Sequence, residues 1–182
     1  MLNLASASPL EKSAIRKIQL SENTALGLIR FQIFNRGQNT VENFERQLKM
    51  QFPSSGEITS EGNMRLFWCS PGEWIITVPV GTEQDVIDAL NLKLNGLVAV
   101  LKTVTDSQTI LELYGKSARE VLSRGSTADF CPARFGSGQC LNTRFAGVPA
   151  MLACPENDEK ILLLVDRSLA DYLMAWFHAA SI

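Results

Sequence analysis

The residues of this sequence that could do chemistry are few and stand far apart. The single histidine is His178, and the four cysteines are Cys69, Cys131, Cys140 and Cys154. Catalysis by a serine or cysteine nucleophile usually needs a histidine base, but His178 falls near the end of a predicted helix, where a solvated imidazole is the simpler interpretation. No two cysteines have the spacing of roughly two to four residues that zinc knuckles use. The sequence therefore predicts no catalytic residue and no metal site.

Cys69 and Cys131 could be reactive thiols, but neither belongs to a Cys-x-x-Cys motif or has a histidine and an asparagine nearby. We therefore interpret both as small, buried hydrophobic side chains. A domain of 182 residues does not need disulfides for its stability. We expect reduced thiols in a cytoplasmic protein.

Two further features could bind or transfer small groups. Residues 134–139 (RFGSGQ) are glycine-rich, but they lack the Gly-Lys-Ser/Thr of a phosphate loop and precede a predicted strand instead of opening a helix. Asp106 could serve as a general acid or base, but turn chemistry is the simpler explanation for an aspartate at the corner 104–107. No cofactor-binding residue is predicted in this chain.

The charge and hydropathy patterns exclude two classes of partner. The net charge is −2, from 17 basic and 19 acidic residues, and the absence of a basic run gives a nucleic-acid surface little electrostatic support. The longest apolar runs, residues 148–154 and 161–165, are far shorter than the roughly 20 residues needed to cross a bilayer. We expect no nucleic-acid partner and no membrane association.

The predicted secondary-structure elements form a single α+β domain, residues 23–182, which follows an N-terminal arm, residues 1–22. The domain consists of two similar halves, about 23–104 and 105–182. The first half has the order β-α-β-β-α-β, which is that of the split βαβ unit in ferredoxin-like sheets. Its predicted elements are strand 26–34, a helix capped by Asn39, a polar loop 53–62, strands 64–69 and 74–80, a helix capped by Thr82 and closed by Gly96, and strand 97–104.

The second half repeats this pattern, so the predicted fold class is α+β with duplicated split-βαβ halves. Its predicted elements are strand 109–114, a helix capped by Ser117, an irregular segment 125–138, strands 139–145, 148–154 and 160–165, and a last helix capped by Ser168. The apolar residues of that last helix, spaced for one buried face, are Leu169, Tyr172, Leu173, Trp176 and Phe177.

Large aromatic residues also stand in the predicted loops. Trp68 and Trp74 flank the tight turn 70–73, and Phe130 and Phe135 lie in the irregular segment. Large aromatic side chains dominate both protein cores and partner interfaces. Because a monomer gains little from such residues in loops, these four are the candidates for a partner interface, with core packing as the alternative for the tryptophans.

Several motifs, taken together, resemble the gamma subunit of heterotetrameric sarcosine oxidase. The resemblance runs in the same order along most of the chain, although residues 35–63 carry no motif of that family. The resembling segments are residues 68–74 (WCSPGEW), 104–107 (VTDS), 113–122 (LYGKSAREVL) and 167–173 (RSLADYL), with the spacing of Asp129, Phe135, Gly138, Cys140 and Thr143 between them.

The resemblance implies a fold similar to the folate-binding domain of aminomethyltransferases. It implies a non-catalytic, structural role beside the alpha, beta and delta subunits of an oxidase. That oxidase converts sarcosine to glycine with formation of peroxide, and the methyl carbon is passed to tetrahydrofolate or released as formaldehyde. It also implies that FAD, FMN, NAD and tetrahydrofolate belong to the assembled complex and not to this chain. No catalytic residue is ascribed to the gamma subunit, which agrees with the lack of visible chemistry in the sequence.

A second interpretation is a stand-alone, folate-binding protein of the aminomethyltransferase type. Such a protein needs a carboxylate aimed into a central pocket, and Glu73, Asp106 and Glu112 are available. None of the three lies in the aspartate-bearing signature associated with those enzymes.

Overall fold

The computed structural model describes residues 13–15, 18–34, 40–94, 98–115, 117–156 and 160–180. The predicted cap Asn39 and the closing Gly96 lie outside these residues. The α-helices are α1 (Thr40–Leu48), α2 (Glu83–Asn91), α3 (Ala118–Gly125) and α4 (Ala170–Ala180), the last preceded by a 3₁₀ turn (Arg167–Leu169). The strands are β1 (Ser13–Ile15), β2 (Ile18–Glu22), β3 (Leu26–Ile33), β4 (Ile58–Glu61), β5 (Met64–Ser70), β6 (Glu73–Pro79), β7 (Ala99–Thr103), β8 (Gln108–Tyr114), β9 (Gln139–Phe145), β10 (Val148–Cys154) and β11 (Lys160–Asp166).

The first sheet is five-stranded and antiparallel, with the order β4-β5-β6-β3-β7. Without β4, the run β3-α1-β5-β6-α2-β7 and its strand order are those of a ferredoxin-like split βαβ unit. The edge strand β4 corrects the prediction of a loop over 53–62. Its sequence, ITSE, is mostly polar and short, so it forms a strand because it pairs with β5 and not because of its own pattern.

The second sheet is six-stranded and antiparallel, with the order β1-β2-β8-β11-β10-β9. It repeats the first sheet if β2 is taken as the fourth strand and β9 as the extra edge strand. Residues 18–22, within the predicted arm, thus pair with β8 in the sheet of the second half, where Ser21 lies opposite Glu112. The remaining arm residues 1–12, 16 and 17 lie outside the described ranges. The two sheets confirm the predicted α+β class with duplicated split-βαβ halves.

The sheets lie face to face, with helices on the two outer faces. Apolar side chains of α1 and α2 pack on the first sheet, and those of α3 and α4 pack on the second. A third apolar cluster joins the two sheets and is called the seam here: Leu28, Phe67, Ile75, Val104, Ile110, Cys140, Met151, Ala153, Leu162 and Leu164. Both sheets are therefore buried on both faces. No helix in the described ranges is long and apolar enough to span a bilayer.

The helix caps differ in detail from the predicted ones. Thr82 and Ser117 occupy the predicted N-cap positions, but neither side chain accepts a capping hydrogen bond. The backbone of Thr82, with φ −104° and ψ 4°, is not in the extended conformation of a typical cap, and its hydroxyl donates to the Pro79 carbonyl instead (2.7 Å). At the last helical segment the cap is Asp166, whose carboxylate accepts from the Ser168 N–H (2.9 Å).

A polar cluster lies on the inner face of the second sheet, at one end of the seam. The Glu112 carboxylate accepts from Lys160 Nζ (2.7 Å), Asn23 Nδ2 (2.7 Å) and the Tyr114 hydroxyl (3.0 Å). Burial, the largest single effect, would raise the pKa of Glu112, but the hydrogen bonds from Lys160 and Asn23 outweigh it and lower that pKa. The cluster is therefore a satisfied charged network that ties β2, β8 and β11 together.

The tail helix α4 provides the first prediction. Leu173, Met174 and Phe177 are buried, whereas Tyr172, expected on the buried face, is half exposed and its hydroxyl donates to the Ala146 carbonyl. Phe177 stacks on Phe145 with 5.3 Å between the ring centroids.

We expect Phe177→Ala to lower the free energy of unfolding by about 3–5 kcal/mol. Urea unfolding measures this, and His178→Ala, on the exposed face of the same helix, should change it by less than about 0.5 kcal/mol. Equal effects of the two substitutions would contradict the packing of α4.

The polar cluster around Glu112 provides the second prediction. Lys160→Met keeps the aliphatic stem but removes the cation, and we expect it to cost about 2–3 kcal/mol at neutral pH. Because the pKa of folded Glu112 is lowered, its stabilising contribution is complete above the unfolded-state value of about 4.3 and is lost as the pH falls through the folded-state value. The stability difference between the wild type and Glu112→Gln should therefore narrow on acidification. A difference in urea midpoint that stays constant from neutral to acid pH would argue against this network.

Candidate functional site

A cavity of about 490 Å³ lies between the ends of the two sheets, at the end of the seam away from Glu112. Its size is within the range of small-molecule sites, roughly 300–1,000 Å³. The buried side chains of Ile75, Met151 and Leu164 line it on the apolar side. The polar residues that line it are Arg30, Cys69, Glu73, Gln108, Asn142, Thr143 and Asp166.

On the polar side of the cavity, two of the described residues have a buried side-chain atom without a hydrogen-bond partner. Arg30 Nε lies 3.4 Å from Glu73 Oε1, an ion-pair contact that lacks the angle of a hydrogen bond, and the Ser70 hydroxyl donates to the other Glu73 oxygen (3.1 Å). Arg30 Nε and Gln108 Oε1 are the two buried side-chain atoms of the described chain without a hydrogen-bond partner. Buried polar atoms are rarely left in this state. The arrangement is suited to holding a polar group, and it places no activated nucleophile beside that group.

The cysteines do not supply such a nucleophile. All four are free, and burial raises the pKa of Cys69 to about 12 and that of Cys140 to about 11, so both remain protonated thiols. Cys140 donates to the Glu57 carbonyl (3.2 Å). Cys131 is exposed, which corrects the expectation that it is buried, because it lies at the surface turn that begins the glycine-rich segment.

The other chemical candidates are dispersed over the surface. His178 is exposed near the end of α4, and Asp106 is exposed in the turn between β7 and β8. In the glycine-rich segment, the Gly138 N–H donates to the Cys154 carbonyl (2.7 Å), and the Gly136 N–H donates to the Gln139 side chain (2.7 Å). These N–H groups are therefore used within the fold and do not form a phosphate cradle. Among the residues that the structure describes, no group of three or more His, Cys, Asp or Glu side chains could hold a metal ion.

The four aromatic interface candidates lie mostly inside the monomer. Trp74, Phe130 and Phe135 are 3%, 3% and 1% exposed, and Trp68 is half buried. Trp74 packs against Phe52 and donates its indole N–H to the Pro53 carbonyl (3.2 Å). The premise that a monomer gains little from these residues does not hold for the three buried ones. Their role in a partner interface stays a prediction, and Trp68 is the one placed to reach the surface.

Arg119 explains why the irregular segment buries its aromatic rings. Its guanidinium donates to the Phe130 carbonyl (2.8 Å) and to the Phe135 carbonyl, and it lies 5.8 Å from the centre of the Phe135 ring. The two rings meet edge to face, with 5.7 Å between their centroids. One arginine of α3 therefore fixes the loop that follows the helix. The sequence gives no local signal for this, because an arginine on a helix is usually solvated.

Of the three carboxylates proposed for a folate site, the structure brings only Glu73 to the cavity. Glu112 is held by its three donors at the opposite end of the seam, and Asp106 lies in an exposed turn. The sequence analysis missed Arg30 and Gln108 in this cavity. Each of the two is a polar residue in a strand whose neighbouring positions are apolar. Such a polar residue indicates a site only when the opposite sheet is known to cover that face of the strand.

The sequence model of the sarcosine oxidase, gamma subunit family matches residues 39–182, including the stretch 39–63 in which no motif is recognisable. No curated protein matches the sequence. A chain of the heterotetrameric sarcosine oxidase from Corynebacterium sp. U-96, in complex with pyrrole 2-carboxylate, is 19% identical with a TM-score of 0.79, over 94% of this chain and 87% of that one.

A second solved structure, glycine cleavage system aminomethyltransferase T from Bartonella henselae, is 12% identical with a TM-score of 0.63. The similarity covers 88% of this chain but 45% of that enzyme. At these identities the two structures show a shared fold, in agreement with the expected similarity to aminomethyltransferases. The family match extends over most of the sequence and confirms the resemblance carried by the motifs: the chain belongs to the sarcosine oxidase, gamma subunit family.

Proposed function

We propose that this chain is the gamma subunit of a heterotetrameric sarcosine oxidase and that it serves the assembly of the complex without an active site of its own. The complex oxidatively demethylates sarcosine to glycine, with transfer of the methylene carbon to tetrahydrofolate. The observation that carries the proposal is the family match over residues 39–182. The similarity in fold to a chain of the Corynebacterium enzyme supports it.

The chemistry of the described residues supports a role without catalysis. Nucleophilic catalysis by cysteine needs a thiolate, whereas burial keeps the pKa of Cys69 and Cys140 far above neutral pH. A general base would have to reach the cavity, but His178 is exposed on a helix of the outer layer. Of the charged residues that line the cavity, Arg30 and Glu73 contact each other, and the Asp166 carboxylate accepts from the Ser168 N–H and hydroxyl.

The cofactors of such an oxidase belong to the proposed complex: FAD, FMN, NAD and tetrahydrofolate. Dinucleotides are bound in the crevice at the carboxyl ends of parallel strands, next to a glycine-rich turn that opens a helix. Both sheets described here are antiparallel throughout, so the described part of this chain does not fit a dinucleotide. We infer that the alpha, beta and delta subunits hold these groups and are the partners, in the cytoplasm.

The alternative is a stand-alone folate-binding protein of the aminomethyltransferase type. The cavity between the sheets and the fold shared with aminomethyltransferase T favour it. Two observations argue against it. The similarity covers less than half of that enzyme. Of the three candidate carboxylates, only Glu73 lines the cavity, and it is already in contact with Arg30. This alternative predicts binding of tetrahydrofolate by the isolated chain.

The isolated chain should be colourless and inert towards sarcosine, because its described part does not fit a dinucleotide and burial raises the pKa of its Cys69 and Cys140 thiols. We expect no flavin absorbance after purification and no peroxide on addition of sarcosine. Co-expressed with the alpha, beta and delta subunits, it should copurify as one complex, whereas expression of those three without it should leave little assembled oxidase. Absorbance spectra, peroxide assay and size-exclusion chromatography measure these outcomes.

Two results would contradict the proposal. Flavin absorbance or peroxide release by the chain alone would show an active site of its own. Failure to copurify with any oxidase subunit, together with binding of tetrahydrofolate in calorimetry, would favour the folate alternative. Arg30→Ala is the matched control in that titration, since it removes the one cation among the described residues that line the cavity and should abolish folate binding there.

A further inference from the structure

Strand β7 is an edge strand with a free side. Within the described chain it pairs only with β3, and the hydrogen bonds from Val104 N to Leu28 O (2.8 Å) and from Phe34 N to Val98 O (3.3 Å) fix which residues face that partner. In an antiparallel pair these residues alternate with residues whose N–H and C=O groups point the other way. The backbone groups that point away from β3 therefore belong to Ala99, Leu101 and Thr103.

An apolar surface lies along this edge. Ile29, Phe31 and Ile33 of β3 face the helices. Phe34, Val98, which accepts from the Phe34 N–H, and Val100, which pairs with Gln32, therefore lie on the opposite face. That face belongs to the seam further along the strand, but here the second sheet does not cover it: Phe34, Val98 and Val100 are 59%, 57% and 47% exposed. Three large apolar side chains thus stand together beside an open edge.

Natural edge strands are usually protected by several charges, a proline, a bulge or a covering segment. The sequence of β7, AVLKT, offers one such device, Lys102, which lies on the same face as the two valines. Lys102 is exposed and forms no ion pair with the described residues. An edge with an apolar face and a single unpaired cation is more typical of a surface that another chain covers.

We propose that β7 is the docking strand for an extended segment of another subunit of the oxidase, which adds to the first sheet as a sixth strand. The segment carries apolar side chains opposite Val98 and Val100 and a carboxylate opposite Lys102, at alternate positions. Backbone hydrogen bonds to Ala99, Leu101 and Thr103 supply affinity, and the side-chain pattern supplies the register. This inference rests on the proposed function, because it takes the partner from the same complex.

The charge of β7 favours a different chain over a second copy of this one as the partner. Two β7 strands paired antiparallel about a two-fold axis at Leu101 would bring the two Lys102 side chains to diagonal positions, about 7–8 Å apart. β7 contains no acidic residue, so neither lysine would gain a carboxylate from the other strand. A heterologous segment with an acidic residue satisfies Lys102 and covers both valines.

The test uses the complex co-expressed with the alpha, beta and delta subunits and compares Val100→Glu and Lys102→Glu with Val80→Glu. Val80 is a matched control, since it is a valine of similar exposure (53%) in the turn after β6. All three substituted positions are exposed, so the free variants should keep the wild-type melting temperature. We expect each β7 variant to weaken association at least about tenfold and the Val80 variant to leave it unchanged.

Hydrogen–deuterium exchange gives a direct second readout of the outward amides. Those of Ala99, Leu101 and Thr103 should exchange fast in the free chain and become protected in the complex. Assembly of the β7 variants with wild-type affinity, or no added protection at these amides, would overturn the docking strand while leaving the subunit role intact. Wild-type chain that binds no oxidase subunit would overturn both. Protection that arises with concentration-dependent dimers of the chain alone would assign the edge to a second copy instead.

Discussion

The apolar seam between the two sheets is the contact on which the rest of the structure depends. Each sheet is covered by helices on its outer face and would expose a second apolar face if it stood alone. Burial of that face stabilises the fold by the hydrophobic effect and forces the two halves to fold as one unit. Hydrogen bonds between the edges, Ile58 N to Gly138 O and Cys140 N to Gly56 O (2.8 Å each), close one side of the seam.

The polar groups at the two ends of the seam differ in how completely they are hydrogen-bonded. At one end Glu112 is surrounded by donors from Lys160, Asn23 and Tyr114, which offset the cost of burying its charge. At the other end Arg30 and Gln108 keep unsatisfied atoms beside a cavity. The same architecture thus provides a closed structural end and an end that retains binding capacity.

The fold that this chain shares with aminomethyltransferase T does not by itself carry that enzyme's chemistry. Folds recur with unrelated functions because function resides in the residues placed on them. In the described part of the chain, burial raises the pKa of the Cys69 and Cys140 thiols, and His178 is exposed and does not line the cavity. At the surface, the edge strand β7 has no second pairing strand among the described residues and lies beside the exposed side chains of Phe34, Val98 and Val100.

The sequence by itself determined the local elements. Alternation of apolar and polar residues predicted β9 to the residue, and mostly apolar runs of strand length predicted β10 to the residue and β8 and β11 to within one residue. The motifs were sufficient to recognise the family. The tertiary structure decided which segments share a sheet and which side chains share a site. The polar strand β4, the pairing of β2 with the second half, the burial of Phe130 and Phe135 under Arg119, and the meeting of Arg30 with Gln108 all depend on contacts between residues distant in sequence. No local pattern encodes such contacts, since the burial of one strand face is set by whatever the rest of the chain packs against it.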